Sequence, residues 1–485
     1  MSTTSSITDN VILDKPGDLF GRDDEWDVLS RFATSQARMA IVYGRRLIGK
    51  THLTSRLAAA TGGLYYCAGQ LTSNANLDEL ADAVSTWRGQ RSSYRTWTDA
   101  FNDLLAGPSG TLVVLDEIGY ATDAEPSIPS LIQRAIDKRR RGGPHLVLCG
   151  STTQAVRNLT APGAPLRGRA GAELVLEPFD YRSAARFWKI RNPAVAVLVW
   201  AVVGGVAGYR ELCSDQSPSS VADVGPWITA HVLDPAAPLH REGRTVLLEE
   251  PAVGDRAVHW QALAAISAGA RTRSAIAAAV NRPSSALGNT LDVLCATGLV
   301  ARRDDALHGN RSFYEITEPI LRTWKHLAEP VQRRGRRGRG DRLFDDLEAG
   351  FHSHVVGPAF EQLARDWVTH HAAEATIGGT ATMVSAAIIG RRHVEGDENQ
   401  LDVVAIDRDA RGRRHVLAIG EAKHHTRPAT LEHLNRLRRL RDVIGAAHAK
   451  LLLISAAGFD RTVVRDAHGH DDVELVDLDR LYHGT

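Results

Sequence analysis

"MAIVYGRRLIGKTHLTSRLAAA" runs from Met39 to Ala60. An apolar run, Met39–Tyr43, has the length and composition of a buried strand. Two glycines, Gly44 and Gly49, then bracket Arg45, Arg46, Leu47 and Ile48, and a helical pattern begins at Lys50. Glycines let the backbone fold tightly enough for several N–H groups to converge on one anion. The helix that follows presents its positive end to the same point. The spacing G-x-x-x-x-G-K-[ST] is therefore a phosphate cradle, with Lys50 on the β- and γ-phosphates and Thr51 on Mg²⁺. The expected cofactor is ATP with Mg²⁺, held on a parallel α/β sheet.

Two further strand-like runs belong with it. "GTLVVLDEIGY" (Gly110–Tyr120) is uniformly apolar until it ends in Asp116 and Glu117. A run of that kind forms a central parallel strand whose carboxyl end opens on the nucleotide crevice. Asp116 would hold the Mg²⁺ shell, and Glu117 would orient or deprotonate the attacking water. "PHLVLCGST" (Pro144–Thr152) ends in Ser151 and Thr152, placed to sense the γ-phosphate. Hydrolysis also calls for positive charge on the transferring phosphoryl group, sometimes from a neighbouring subunit. Arg167 and Arg169, in "APLRGRAGAELVLEPF" (Ala164–Phe179), are the two candidates, with a homo-oligomer as the implied partner.

Bulk properties set the frame. The 485 residues predict roughly three domains, and 43% hydrophobic with 24% charged residues is the composition of a globular protein. Lys+Arg 58 against Asp+Glu 57 leaves no net charge to argue from. Cys67, Cys149, Cys213 and Cys295 form no CxxC or Cys/His pattern, which predicts buried, reduced thiols rather than a metal site. The polar start "MSTTSSITDN" lacks the apolar core of a signal peptide, and no apolar run reaches membrane-spanning length. "AVAVLVWAVVGG" (Ala194–Gly205) reads as a buried helix. A cytoplasmic location, without membrane contact, is expected.

Taken together, "FGRDDEWDVLSRF" (Phe20–Phe32), "VYGRRLIGKT", "LVVLDE", "SIPSLIQRAID", "LVLCGST" and "PLRGRAGAELVLEPFDYRSAARFW" resemble the archaeal-type AAA+ ATPases, relatives of the STAND NTPases. The resemblance implies that Phe20, Gly21 and Arg22 approach the adenine side of the nucleotide. Ala207, in "VVGGVAGYREL", stands where that family usually has proline, and His52 replaces the more common Thr or Ser after Thr51.

From Trp260 the pattern changes to short amphipathic helices: "HWQALAAISAG", "TRSAIAAAV" and "RPSSALGNTLDVLCATGLVARRD". Thr272 and Ser284 are expected N-caps, Gly269 and Gly298 helix stops, and Leu287, Leu291 and Leu294 share one face. "GLVARRDDALHGNRSFYEIT" then reads as a hairpin, and three helices with a hairpin describe a winged helix. In a DNA-binding form, Ser284, Ser285, Asn289 and Thr290 would face the major groove, with Arg302, Arg303 and Arg311 on phosphate. "VQRRGRRGRGDR" (Val331–Arg342) reads as a flexible, basic linker.

The last segment contains "LDVVAIDRDARGRRHVLAIGEAKHH" (Leu401–His425). Two strands about a polar turn, paired so that Asp402 stands opposite Glu421, put both carboxylates and Lys423 on one face. Opposed carboxylates repel, and a hard divalent cation, Mg²⁺ or Mn²⁺, removes the conflict. Asp402, Glu421 and the carbonyl of Ala422 would be its ligands, and Lys423 would orient water or stabilise the oxyanion. With Glu361 in the preceding helix "VGPAFEQLARDWVTHH", this Asp…Glu-x-Lys pattern resembles the PD-(D/E)XK nucleases. Gln400 occupies a position often acidic there, and His424 and His425 are expected at the surface.

The expected architecture is thus a P-loop AAA+ core over residues 1–212 and a helical connection with winged helix over 213–330. A linker over 331–342 and a restriction-endonuclease-type α/β domain over 343–485 complete it. The expected function couples ATP hydrolysis to DNA binding and metal-dependent DNA cleavage. A STAND-like signalling switch and an ATP-gated DNA-binding regulator are the alternatives.

Overall fold

A computed structural model describes residues 12–108, 110–138, 143–151, 159–248, 255–334, 343–389, 400–408 and 412–485. The chain divides into two compact units, Met1–Pro178 and Phe179–Thr485.

The first unit is built on five parallel strands: β1 (Met39–Tyr43), β2 (Leu64–Cys67), β3 (Leu112–Asp116), β4 (His145–Gly150) and β5 (Ala170–Val175). Their order is β2-β3-β4-β1-β5. β1, β3 and β4 are buried along their whole length, which is why their sequences are apolar runs rather than alternations. Ile41, Val113, Leu115, Leu146 and Leu148 share one core with Leu77, Phe101 and Ile132 from the crossover helices. Each such side chain contributes roughly 1.5–3 kcal/mol of burial. The parallel arrangement brings the carboxyl ends of β1, β3 and β4 to one edge. Cys67, expected inside, is exposed at the end of β2.

The second unit contains the helix Pro193–Val203, capped by the Asn192 side chain and buried from Val195 to Val203. Residues 179–212, grouped with the AAA+ core in the sequence reading, pack within this second unit. Tyr181 donates to the carbonyl of Leu481 (2.6 Å), Phe179 N–H to that of Gly205 (2.9 Å), and Tyr209 to Glu318 (3.2 Å). Helices Arg256–Ser267, Arg273–Ala279 and Gly288–Ala296 precede a hairpin of β6 (Val300–Asp304) and β7 (Ser312–Ile316). Thr272 caps the second of these helices, and Gly269 and Gly298 are left-handed at the stops. Ser284 does not cap: Pro283 holds that place in extended backbone, and Ser284 opens a 3₁₀ turn to Leu287.

A second sheet follows: β8 (Met383–Ile388), β9 (Gln400–Arg408), β10 (Arg414–Lys423), β11 (Lys450–Ser455) and β12 (Val473–Val476), in the order β12-β11-β10-β9-β8. β8, β9 and β10 pair antiparallel, and β10, β11 and β12 parallel. The β6–β7 hairpin is docked on the β8 edge. Ala306 N–H donates to Ala386 O (3.1 Å), Ser385 Oγ to Asp304 O (2.7 Å), and Arg311 Nη1 to Ile388 O (3.1 Å). Covering an edge strand in this way satisfies backbone groups that would otherwise template aggregation. Among the described residues no helix is long and apolar enough to cross a membrane. The linker expected over 331–342 lies outside the described residues from 335 onward.

Candidate functional sites

At the carboxyl edge of the first sheet, the loop after β1 turns through left-handed residues at Leu47 (φ 63°) and Gly49 (φ 98°). The helix Lys50–Ala60 starts directly from that glycine. Gly44 admits no side chain: a Cβ there would lie 2.5 Å from Leu176 O. Lys50 is buried, its Nζ donating to the carbonyl of Arg45 (2.8 Å). Burial lowers its pKa, opposed by the nearby carboxylates of Glu117 and Asp116.

Thr51 Oγ1 donates to Asp116 Oδ2 at 2.8 Å, joining the first helical turn to the end of β3 across a separation of 65 residues. Tyr65 donates to the same oxygen (2.7 Å), a partner that no sequence pattern announced. Glu117 sits in the left-handed region (φ 47°), unusual for a residue with a Cβ. Such strain persists where surrounding contacts over-determine it. Here Glu117 Oε2 accepts from both the N–H (3.1 Å) and the Oγ (2.8 Å) of Ser151, so β3 and β4 clamp the carboxylate between them.

Arg22 is buried, and its guanidinium donates to the carbonyls of Ile48 (2.9 Å) and Glu177 (2.8 Å) and to Glu25 (2.8 Å). It braces the phosphate loop from behind. Phe20 and Gly21 precede it, Phe20 exposed and Gly21 left-handed. His52 faces the carbonyl of Asp18 (3.3 Å). Arg45 and Arg46 lie in the loop itself. Arg167 is exposed, whereas Arg169 is held by Asp137 through Nε (3.0 Å) and Nη2 (2.7 Å). Thr152 lies outside the described residues.

In the second unit, β9 and β10 pair Val403 with Gly420 and Val404 with Ile419, and that register continued by one step sets Asp402 opposite Glu421. Ala422 N–H donates to Asp402 Oδ2 (3.0 Å), and Gln400 Nε2 to Asp402 Oδ1 (3.2 Å). Glu421 is buried between two cations, Lys423 (2.7 Å) and Arg436 (2.7 Å). Glu361, on the helix Gly357–His370, accepts from Arg271 (2.9 Å) and Gln400 (3.4 Å). Burial first, then the charges of Glu361 and Glu421, push Asp402 up to about 7.

Asp402 and Glu421, with the carbonyl of Ala422, are the oxygens that could hold a hard cation. Asp402, crowded by Glu361 and Glu421 and raised by that crowding and by burial, fits such an ion. Among the described residues no cluster of three or more His, Cys, Asp or Glu side chains is placed to hold a metal, so the set rests on two carboxylates and a backbone oxygen. Arg271, Arg365 and Arg436 carried no sequence signal, being 90, 37 and 15 positions from the groups they bind. His424 is half-buried and does not open a helix. It packs against Phe360 (5.5 Å) and His352 (5.6 Å), and burial pushes it down to about 4.

The face expected for nucleic acid is only partly presented by the hairpin and helices, with Arg302 and Arg303 exposed as expected. Ser284, Ser285 and Asn289 are exposed, but Thr290 is buried and Arg311 is committed to Ile388.

No family model matches the chain. An uncharacterized protein of Methanocaldococcus jannaschii is 22% identical over 193 residues, 39% of this chain and 43% of that protein, so less than half of the relative is spanned. Among solved structures, the Aeropyrum pernix ORC2 protein in ADPNP–ADP complexes is similar at TM-score 0.41 and 16% identity, over 70% of this chain and 98% of that one. A Thermotoga maritima RuvB mutant reaches TM-score 0.33 and 15% identity over 58% and 90%. The A. pernix ORC1 protein in complex with DNA reaches 0.32 and 14% over 66% and 95%.

Proposed function

We propose that the chain is an AAA+ type ATPase whose nucleotide state governs DNA binding by its second unit, with a cation-dependent nuclease site at the C-terminal sheet. The observation that carries the ATPase reading is the Thr51–Asp116 hydrogen bond at the mouth of the Gly44–Gly49 loop. It brings together the hydroxyl and carboxylate that a phosphate-bound Mg²⁺ needs, and that ion supplies charge neutralisation when bound. Lys50 and the loop N–H groups hold the phosphates. Glu117, fixed by Ser151, holds or accepts a proton from the attacking water. Arg167, exposed, supports action on a neighbouring copy's nucleotide, whereas the Asp137 pair occupies Arg169.

The three helices and hairpin support a winged-helix reading, with Ser284, Ser285 and Asn289 exposed near Arg273 and Arg282. The nuclease reading rests on the meeting of Asp402, Glu421, Lys423 and Glu361. A bound cation would activate water there; Lys423 would stabilise charge at phosphorus, and Asp402 and Glu421 would hold the ion.

The test is ATP hydrolysis by the full chain with Mg²⁺, wild type against Lys50→Ala, followed by cleavage of linear and plasmid DNA against Asp402→Ala. Hydrolysis lost in the first variant and cleavage lost in the second support both halves. Hydrolysis equal in Lys50→Ala would sink the ATPase reading. Intact hydrolysis without cleavage on any DNA would move the second unit to a binding or signalling role.

A further inference from the structure

Among the described residues, Glu361 is the carboxylate of the C-terminal site whose cation comes from outside the C-terminal sheet domain. Arg271 Nη2 donates to Glu361 Oε2 at 2.9 Å, across 90 residues of sequence, and both side chains are mostly buried. Arg271 lies in the turn between the helices Arg256–Ser267 and Arg273–Ala279. Its carbonyl accepts from Tyr314 N–H in β7 (2.7 Å), and Thr272 beside it caps the next helix. The arginine is therefore held on the backbone of the three-helix module while its guanidinium reaches the carboxylates.

We propose that Arg271 is a positioning residue that sets the cation affinity of the Asp402–Glu421 site by holding Glu361, so that the site is composite between the three-helix module and the C-terminal sheet. This rests on the cation reading of that site. Gln400 joins Glu361 to Asp402, donating to both at 3.4 and 3.2 Å, so the Arg271–Glu361 pair is coupled to the proposed ligand. A fixed guanidinium on Glu361 opposes an incoming cation in two ways. Its charge repels the ion, and it neutralises Glu361, whose negative charge beside Asp402 would otherwise attract that ion. Any shift of the module against the sheet moves that charge.

The test is Mn²⁺ binding to the full chain without nucleotide, followed by the electron paramagnetic resonance of free Mn²⁺, with Asp402→Ala defining which sites belong to the C-terminal cluster. Arg271→Ala is expected to tighten the Asp402-dependent site by about tenfold, equivalent to about 1.4 kcal/mol, and Arg271→Lys to restore wild-type affinity. Arg271→Gln removes the charge while keeping a polar side chain in the turn, and should tighten binding likewise if the alanine variant fails to fold. A folded Arg271→Ala or Arg271→Gln protein with wild-type affinity overturns the inference while leaving the cation site standing. Absence of any Asp402-dependent Mn²⁺ binding in the wild type overturns the cation reading and the inference with it.

Discussion

Arg365 gives the sharpest prediction about what holds the second unit together. It is 8% exposed, and its Nη2 donates to both oxygens of Glu315 in β7 (3.0 and 3.1 Å), while Nη1 donates to the carbonyl of Asp402 (3.1 Å). Burial opposes ionisation of Glu315, yet Arg365 first, then Arg271, Arg303 and Arg322, hold its carboxyl below the usual range. Arg365→Met keeps the packed stem and removes the charge, leaving a buried carboxylate with weaker partners. Breaking one member of a buried pair costs about 3–5 kcal/mol, and the three remaining arginines place this case near the lower figure. A carboxyl depressed in the folded state contributes stability that is present above its unfolded pKa and lost as pH falls through the folded value. The gap between wild type and Arg365→Met should therefore be full at pH 7 and narrow as pH falls below about 4. The assay is urea unfolding of the full chain, following the transition of the second unit, with Glu315→Gln and the double variant closing a cycle. A loss below about 1 kcal/mol at pH 7, or no coupling between the two sites, would refute the reasoning.

Asp366, beside it, lines a cavity of about 230 Å³, and burial lifts its carboxyl to about 6. A raised carboxyl costs stability above its folded pKa and ceases to do so below its unfolded one, so Asp366→Asn should stabilise the protein at pH 7.5 by up to about 2–3 kcal/mol. That advantage should shrink between pH 6 and pH 4 in thermal melts, and equal gains at both ends would refute the assignment. DNA affinity, in filter-binding titrations over a range of salt, should fall on Ser285→Glu, which adds negative charge to an exposed face. Arg311→Ala should instead lower the melting temperature and leave DNA affinity within about twofold, because its guanidinium is spent on Ile388 and lies near Asp305.

The parts of this molecule that were legible in the sequence are those decided over a few residues or by a strict period. The phosphate loop declares itself because only glycines turn where Gly44 and Gly49 do, and the buried strands because parallel strands are apolar on both faces. The β9–β10 register near Asp402 followed from hairpin symmetry, although the ladder slips between Val416 and Ala418. What escaped depends on tertiary docking. A β-hairpin reads the same in sequence whether its arginines face phosphate or an adjoining sheet edge, so the commitment of Arg311 was invisible. Residue type alone places Thr290 and His424 at the surface, whereas packing buries the first and half-buries the second. The stretch 179–212 continues in sequence the resemblance carried by the first unit, but Tyr181 and Tyr209 find their partners at Leu481 and Glu318. Arg271 and Tyr65 reach their carboxylates across 90 and 51 positions, beyond any local signal.

The central claim is that Glu117, held by Ser151 at the end of β3, serves hydrolysis rather than nucleotide binding. Phosphate release and ATP affinity should be measured side by side for wild type and Glu117→Gln. The glutamine can keep an oxygen facing the Ser151 donors, so ATP affinity should remain within a few-fold, while kcat falls by about 10²–10⁴. A Glu117→Gln protein that hydrolyses ATP at the wild-type rate would contradict the account.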